Sequence, residues 1–469
     1  MSGVTTMRLV TSSRARAGLA LWVSSALAAG VLLSAAVARP IHAATEATNP
    51  AGLACTSDAA GGTNPTFNLT TRTGYINLAD GTTAYMWGYS EGVGPFQHPG
   101  PVLCVNEGDT VTVILHNAFT PTSPKSAPAV SIVFPGQEDV TADGVPSQPQ
   151  FTGGAMTSLA QAAQPNGGTV TYRFKAANPG TFLYESGGGQ LASGSSYYSS
   201  PQVQVRMGLF GALIVRPTQA FAGRVSGASY VYDRADSRFN PDTEFLVLLS
   251  EIDPYLNAKV LKGTGAFNMN TYHPRYWLIN GRQFPDSIAD NFATWLPSQP
   301  YGSLATIHPY DATNNPLPAA DRYLSVGTVD YPFHPHGNNG KVIGRDGSPL
   351  ATATGEDLSF DKFAVNIGPG QTWDVLFNWK DNEDYSPSNP VQVTEPDLQN
   401  LTVGMFYGGS PYLGTQEALP PGVQTLNECG EFYIIAHNHA LYQMTSWGVT
   451  MTGPITYTRV DPPLPNSCP

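Results

Sequence analysis

The sequence predicts an all-β protein, and its composition and strand patterns lead to that class. Gly supplies 48 and Pro 40 of the 469 residues, while only 12% of the chain is charged. This composition is typical of many short strands and turns rather than long helices. Short apolar runs alternate with Gly- and Pro-containing turns along most of the chain. Strands at that spacing predict antiparallel sandwich or barrel domains.

Residues 1–44 have the pattern of a secretory signal peptide. They contain arginines and no acidic residue, and small and apolar residues run from Ala17 to Ala38. Small residues near Ala38 or at Ala43–Ala44 suit cleavage, so we expect an exported protein, secreted or periplasmic. A retained membrane anchor is the alternative, because the apolar run is long. Nothing later in the sequence is long and apolar enough to span a bilayer.

The chain as a whole is acidic. Its formal net charge is −12 at pH 7, and loss of the arginine-containing signal makes the remainder more acidic still. A surface of this sign argues against nucleic acid or anionic lipid as a partner. We therefore expect no nucleic-acid binding, and no membrane association after the signal is removed.

Four cysteines predict two disulfides in an exported chain. They are Cys55, Cys104, Cys429 and Cys468. Three pairings are possible, and the sequence does not choose among them. No Cys-x-x-Cys pair occurs, which argues against a zinc ribbon or a thioredoxin-like site.

The first block of predicted strands occupies residues 65–217. Thr66–Thr71 alternates like a half-buried strand, and residues 99–117 predict two strands around a turn, with Val111, Val113 and Leu115 on one face. Further strands are predicted over residues 168–174, 180–184 and 208–215. Residues 187–200 form a Gly/Ser-rich stretch with little capacity to bury itself, which predicts a mobile loop.

Four segments of this block, PGPVLCVNEGDTVTVILHN, SIVFPGQ, GTFLYES and GLFGALIVRP, resemble the first cupredoxin domain of multicopper oxidases in order and spacing. The resemblance implies a Greek-key β-sandwich. In that family the second and third segments each carry two copper-binding histidines. The corresponding positions here are Val133, Pro135, Glu185 and Gly187. Only Glu185 retains any capacity to bind a metal, and an ordinary hydrogen-bonded carboxylate is the simpler interpretation.

Residues 218–243 predict a linker, and a second block of strands follows over residues 244–465. Its strand-rich segments are Glu244–Asp253, Tyr276–Asp286, Arg322–Gly347 and Phe363–Trp379. They resemble the second domain of two-domain multicopper oxidases, which implies tandem cupredoxin-like sandwich domains. Residues 381–429, rich in Pro and turn signals, form an insertion relative to that pattern.

Two His-x-His pairs are the candidate metal ligands of this block. His334 and His336 lie in YPFHPHGNNG, and His437 and His439 follow the β-prone run FYII. Residues two apart in a strand point to the same face, so each pair presents its imidazoles together. Four imidazoles that meet in space suit copper or zinc. The alternative is that they are polar residues at strand ends near the surface.

The resemblance gives these positions specific roles. His334, His336, His437 and His439 fall on positions that bind the trinuclear copper cluster, while the three main ligands of the blue, type 1 copper are replaced by Tyr331, Asn438 and Gln443. A blue copper site needs one thiolate and two imidazoles, and Met444 alone cannot hold the metal. Pro335 counts against a regular central strand, because it cannot donate a ladder hydrogen bond.

Two functions from different classes follow. The first is a secreted copper-binding protein of the multicopper oxidase superfamily, with a reduced copper site and possible oxidoreductase activity. The second is a catalytically inert cupredoxin scaffold for copper handling, binding or extracellular assembly. Two-domain relatives assemble as trimers in which neighbouring subunits build each copper cluster, so the resemblance also implies a homo-oligomer. The sequence does not identify a substrate.

Overall fold

The computed structural model describes residues 50–56, 64–122, 127–189, 197–263, 265–337, 339–380 and 432–465. The predicted signal peptide, the insertion over residues 381–429, and Cys429 and Cys468 lie outside these ranges. The Gly/Ser-rich stretch is described only at its two ends. The described residues belong to one compact unit, and the domain limits given above stay predictions.

Short strands dominate the described chain up to residue 243, as the composition predicts. The strands are β1 (Thr66–Asn77), β2 (Thr83–Glu91), β3 (Leu103–Asn106), β4 (Thr110–Asn117), β5 (Ser131–Val133), β6 (Thr141–Ala142), β7 (Val145–Pro146), β8 (Gln150–Thr152), β9 (Ala155–Ser158), β10 (Gly168–Lys175), β11 (Gly180–Gly188), β12 (Phe210–Arg216), β13 (Ser229–Tyr230) and β14 (Arg238–Phe239).

Two sheets of this part face each other across a hydrophobic core. One has the order β2-β1-β4-β10-β6-β7 and the other β3-β12-β11-β5. The predicted alternation of β4 is confirmed, because Val111, Val113 and Leu115 are all buried. Trp87 and Tyr172 are fully buried in the same core. The all-β prediction therefore holds for the first block.

The strands of the second part carry the candidate ligands. They are β15 (Glu244–Ile252), β16 (Tyr276–Ile279), β17 (Ala305–Ile307), β18 (Ala319–Ser325), β19 (Tyr331–Pro335), β20 (Gly340–Arg345), β21 (Ser348–Pro349), β22 (Phe360–Lys362), β23 (Val365–Ile367), β24 (Thr372–Phe377), β25 (Phe432–Asn438), β26 (Thr445–Ser446), β27 (Val449–Thr450) and β28 (Ile455–Val460).

Two larger sheets organise these strands. One has the order β21-β20-β24-β18-β15-β16-β26-β27, with β22 paired to β20, and the other β17-β28-β25-β19-β23. Every residue of β15 is buried, as its nearly continuous apolar sequence predicts. In the second sheet β25 and β19 are direct neighbours. The sheet order thus brings together segments that are about a hundred residues apart in the sequence.

Helices are few and short in the described chain. The two α-helices are α1 (Pro201–Arg206) and α2 (Pro254–Lys262), and single 3-10 turns lie at Tyr197–Ser199, Ala235–Ser237, Pro241–Thr243, Met269–Thr271, Asp286–Ile288 and Leu441–Gln443. Asp253 caps α2 by accepting a hydrogen bond from the Tyr255 N–H, and Gly263 ends it with φ of +66°. None of the helices in the described ranges has the length and apolar character required to cross a bilayer.

Apolar packing joins the two parts, and one disulfide lies within the first part. Leu183 and Ile214 from the first part share an apolar cluster with Leu248 and Leu324 from the second. Cys55 and Cys104 form a disulfide, which settles one of the two predicted pairs. The second disulfide stays a prediction, because its cysteines lie outside the described ranges.

A buried ion group also lies where the two parts meet. The guanidinium of Arg322, with no exposed surface, donates to Glu244 at 2.6 Å, to Asp374 at 3.2 Å and to the Thr181 hydroxyl at 3.0 Å. Removing one partner of such a group leaves an uncompensated buried charge, which is strongly destabilising. This group therefore fixes β11 of the first part against β18 and β24 of the second.

Candidate metal centre

The sheet register brings the two His-x-His pairs together. In the antiparallel pairing of β19 and β25, His334 lies directly opposite His437. His336 follows the end of β19, and its N–H donates to the Ile435 carbonyl at 3.0 Å. His439 follows the end of β25, and its N–H donates to the Pro332 carbonyl at 2.7 Å. We call these four histidines the histidine site.

Pro335 was expected to disturb a central strand, and the structure shows how it is accommodated. It is the last residue of β19 and lies opposite Ala436 of β25. Pro335 has no N–H to donate, but the residues on either side keep their contacts with β25. His334 stays opposite His437, and the His336 N–H donates to the Ile435 carbonyl. The strand therefore ends at the proline without separating the two histidines that flank it.

Three imidazoles of the histidine site converge closely. One ring nitrogen from each of His334, His336 and His437 lies within 4.8 Å of the other two. The Nε2 atoms of His336 and His437 are 3.0 Å apart. His439 lies beside this group: its ring centroid is 5.2 Å from that of His334 and 5.6 Å from that of His437. The structure thus places all four predicted ligands together, with three of them in the tighter group.

Hydrogen bonding decides which nitrogens are free to bind a metal. The Nδ1 of His437 lies 2.9 Å from the Asn438 carbonyl, which can only accept, so Nδ1 carries the proton and Nε2 presents its lone pair. The Nδ1 of His334 is buried and has no hydrogen-bond partner among the described residues. A buried nitrogen without a partner is costly unless something satisfies it.

The surroundings favour the neutral forms of His334, His336 and His437. Burial, and then the neighbouring imidazoles, lower the pKa of His334 to about 4. Burial is also the main cause that lowers the pKa of His336 and of His437. Neutral imidazole is the form that binds metal ions. The cluster is therefore prepared for a metal at a pH where an isolated histidine is partly protonated.

One side of the histidine site faces solvent. His437 is buried, whereas His336 and His439 are exposed. The ring of Phe363, itself 63% exposed, lies 5.3 Å from the ring of His334. An ion held here would be reached from solution through the exposed side, as in sites that keep an open coordination position.

The residues present fit a transition metal of the copper or zinc type. Two nitrogens 3.0 Å apart can both lie about 2.0–2.1 Å from one ion, at an angle of about 95°. Imidazole suits copper and zinc, whereas calcium and magnesium take oxygen ligands. The unpartnered Nδ1 of His334 is what such an ion could satisfy. The geometry thus suits one ion bound by three imidazoles, with His439 close enough to be a fourth.

The opposite, buried face of the same strand pair carries Tyr331 and Asn438, which the resemblance assigns to type 1 copper positions. Tyr331 is fully buried, and its hydroxyl donates to a carboxylate oxygen of Glu251 at 2.6 Å. The other Glu251 oxygen accepts from the Thr328 N–H at 2.8 Å. Burial, and then the charge of Glu251, raise the pKa of Tyr331 well above its ordinary value. A protonated phenol bonded to a carboxylate offers no ligand for copper here.

Asn438 and Gln443 form a hydrogen-bonded amide pair, and both are completely buried. The Asn438 side-chain amide donates to the Gln443 carbonyl oxygen. The Gln443 amide donates to the Asp330 backbone carbonyl and to the Tyr442 hydroxyl, each at 3.1 Å. Met444 packs in an apolar cluster instead. These buried amides are thus held by hydrogen bonds to other protein groups.

The first part offers one carboxylate and no imidazole at the four positions that the resemblance assigns to copper ligands. These positions are Val133, Pro135, Glu185 and Gly187. Val133 lies opposite Glu185 where β5 pairs with β11. A Cβ added to Gly187 would lie 2.7 Å from the Ser131 hydroxyl oxygen and 2.9 Å from a Val133 methyl. Burial raises the pKa of Glu185, with Arg206 acting in the opposite direction. Position 187 therefore has no room for a histidine without local movement.

Sequence reasoning missed Glu251 and Phe363. Glu251 lies in a strand that is buried throughout, and a lone acidic residue there needs a partner. The sequence therefore indicates that Glu251 needs a partner. That partner, Tyr331, is 80 positions away and cannot be identified from the sequence. Phe363 gave no signal, since its contact with His334 depends on the β19–β23 pairing.

Comparison with known proteins agrees with the fold. Residues 70–220 match the family model described as multicopper oxidase. The structure is similar to a multicopper oxidase called mgLAC, with a TM-score of 0.52, 20% identity, and coverage of 84% of this chain and 86% of the other. For a blue copper oxidase from Nitrosomonas europaea the TM-score is 0.51 and the identity 18%, over 85% of each chain.

No curated protein matches the sequence. At these identities the structural similarities show the fold alone, and the family match covers the first block of strands. Both agree with the segments that resemble multicopper oxidases. The chain therefore has a cupredoxin-like fold similar to that of multicopper oxidases, and its residues 70–220 match the model of that family.

Proposed function

We propose that this protein is an exported copper-binding protein that holds its metal on the histidine site alone. The observation that carries the proposal is the convergence of His334, His336 and His437, with one nitrogen from each within 4.8 Å of the others. The Nδ1 of His334, which is buried and has no partner among the described residues, is a nitrogen that a bound ion could satisfy. Zinc is the commoner competitor for the same nitrogens.

The side chains of the site have separable tasks in this proposal. His437, fixed by its bond to the Asn438 carbonyl, presents Nε2 to the ion. His334 and His336 supply the opposing nitrogens, and His439 is near enough to join them. A copper ion supplies a one-electron redox centre when bound. Solvent reaches the site past the exposed His336 and His439.

Oxygen reduction by the mechanism of complete multicopper oxidases does not fit these residues. That chemistry needs a thiolate entry point for electrons, and Asn438 stands at the position that corresponds to it. Four cluster imidazoles are also replaced, by Val133, Pro135, Glu185 and Gly187. Oxidoreductase activity is therefore proposed only in a reduced form, with one redox ion. If no metal binds, the alternative hypothesis holds, in which the protein is a catalytically inert cupredoxin scaffold.

Export and assembly complete the proposal. The basic and apolar pattern of residues 1–44 and the Cys55–Cys104 disulfide both support an oxidising compartment outside the cytoplasm. If the protein forms a homo-oligomer like its two-domain relatives, packing and not metal holds it, because the first block offers no imidazole. A chelator that removes copper should leave the oligomer intact by light scattering, and dissociation into monomers would contradict this part.

A copper titration tests the proposed function. The metal-free parent should bind about one Cu(II) per chain tightly by calorimetry. Replacing His437 and His439 together by Ala should abolish tight binding, since it removes half of the ligands. His273→Ala is the control, because His273 is exposed and belongs to neither His-x-His pair. Equal copper affinity in the parent and the double variant would reject the proposed function.

A further inference from the structure

The hydrogen-bonded amide pair of Asn438 and Gln443 lies at the end of β25 and in the turn that follows it. Asn438 stands between the two ligands of β25, and Gln443 follows in the 3-10 turn Leu441–Gln443. The Oδ1 of Asn438 has no hydrogen-bond partner within the described ranges, so its bond to Gln443 is the side-chain contact that anchors this amide. Both side chains are fully buried, where an amide without a partner is costly.

Gln443 extends this contact to the other ligand-bearing strand. Its amide donates at 3.1 Å to the carbonyl of Asp330, the residue immediately before β19. Asn438 and Asp330 belong to the segments that carry the two His-x-His pairs. A continuous path of two hydrogen bonds thus joins β25 to the start of β19 through Gln443.

We propose that Asn438 and Gln443 are positioning residues for the histidine site, fixing the separation and register of the two His-x-His pairs. This inference rests on the proposed function, because it concerns the residues that hold the histidine ligands in place. The backbone supplies part of that support, because the N–H groups of His336 and His439 donate to the Ile435 and Pro332 carbonyls, and the amide pair supplies a side-chain contact between the same segments. The 3.0 Å between the Nε2 atoms of His336 and His437 then depends on how β25 is held against β19.

Substitution of Gln443 separates this role from ordinary stability. Gln443→Leu removes the bonds to Asn438, Asp330 and Tyr442. Outer hydrogen-bond partners of metal ligands typically contribute 10- to 100-fold to affinity, so the Kd for Cu(II) should rise by about 10- to 100-fold. The spin-resonance spectrum of the bound Cu(II) should also change, since the ligands lose their fixed geometry.

Gln204→Leu is the matched control. Gln204 is equally buried and also makes three hydrogen bonds: its amide donates to the Ala129 and Tyr198 carbonyls at 2.8 and 3.2 Å, and it accepts from Ser186 at 2.5 Å. Both variants should lose stability. Only Gln443→Leu should alter copper affinity and the spectrum, while Gln204→Leu should keep the parent Kd within about twofold.

Two further variants keep the inference testable if Gln443→Leu does not fold. Gln443→Glu retains an acceptor for Asn438 and loses the amide donor to Asp330, so it should weaken binding in the same direction. Asn438→Leu breaks the path at its other bond and should change the spectrum in the same way. Combining Asn438→Leu with Gln443→Leu should cost less than the two effects added, because both interrupt one path.

The outcomes are distinguishable. If the parent binds copper tightly and every folded Gln443 or Asn438 variant keeps the parent Kd and spectrum, the positioning role is wrong while the proposed function stands. Equal losses of affinity in Gln443→Leu and Gln204→Leu would also reject it, because general destabilisation would then explain the effect. A parent without tight copper binding would overturn both the inference and the proposed function.

Discussion

The two faces of the β19–β25 pair have opposite chemistry. On the face that carries the histidine site, the Nε2 atoms of His336 and His437 are 3.0 Å apart, and one ring nitrogen from each of His334, His336 and His437 lies within 4.8 Å of the other two. On the buried face, Tyr331 bonds to Glu251, and Gln443 bonds to its neighbours. A residue pattern alone therefore does not define a metal site. A metal fits where several ring nitrogens converge, and not where side chains are held by hydrogen bonds to other protein groups.

Single histidine substitutions should give the largest effect, and they compare the ligands on the face that carries the histidine site. His437→Ala removes a member of the close group and the ligand with a fixed tautomer, so copper affinity should fall by more than about 100-fold. His439→Ala removes the ring outside that group and should cost about 10-fold. Calorimetric titration of both variants measures the ratio. Equal losses would show that the four histidines are equivalent ligands.

Tyr331→Phe tests the buried face of the β19–β25 pair. The change removes the phenol hydroxyl and leaves one oxygen of the buried Glu251 without that donor, which should lower the free energy of unfolding by about 1–3 kcal/mol. Copper affinity should stay within about threefold of the parent, because Tyr331 is not proposed as a ligand. Urea unfolding and copper titration supply the two measurements.

Tyr75→Phe is the control for that prediction. Tyr75 is 52% exposed, so the same chemical change at the surface should alter stability by less than about 0.5 kcal/mol. If Tyr331→Phe weakened copper binding as strongly as a histidine substitution, the proposed difference in function between the two faces would be wrong.

The last prediction concerns the pH dependence of stability. It contrasts His98, a histidine packed in the interior, with the four histidines of the histidine site. His98 is 1% exposed, neither ring nitrogen has a partner in the described part of the chain, and burial lowers its pKa to about 3. The unfolded chain takes up a proton near pH 6.5, whereas the folded chain does so only near pH 3. Its contribution to stability is therefore present above pH 6.5 and lost as the pH falls towards 3.

At pH 5.5 the His98 contribution should lower the free energy of unfolding by roughly 1.4 kcal/mol relative to pH 8. His98→Leu removes the titrating group, so the pH dependence of unfolding should be smaller in this variant by that amount. Urea unfolding of both proteins at the two pH values measures it. Identical pH dependence in parent and variant would mean that His98 is not buried in neutral form.

The sequence could predict the features that depend on local pattern. Alternation predicted the buried face of β4, and the apolar run of Glu244–Asp253 predicted the buried strand β15. The two-residue spacing of His437 and His439 predicted that these imidazoles share a face. The resemblance to multicopper oxidases then implied that the two His-x-His pairs would meet, as the pairing of His334 with His437 shows.

Contacts set by long-range pairing could not be predicted. The Gln443–Asp330 hydrogen bond spans 113 positions, and the Tyr331–Glu251 bond spans 80. No periodicity in either segment points to its partner, because sheet order decides which strands become neighbours. Pro335 shows the opposite difficulty: its chemistry argues against a strand, yet β19 ends at it and tolerates it.

The most direct test of the account combines absorption and spin resonance on the parent loaded with Cu(II). We expect about one Cu(II) per chain with nitrogen ligands and no intense copper–thiolate absorption at about 600 nm, since the resemblance implies that Asn438 replaces the thiolate ligand. The nitrogen signature should disappear in the variant with His437 and His439 both replaced by Ala. An intense blue band, or a copper spectrum unchanged by that double replacement, would contradict the account.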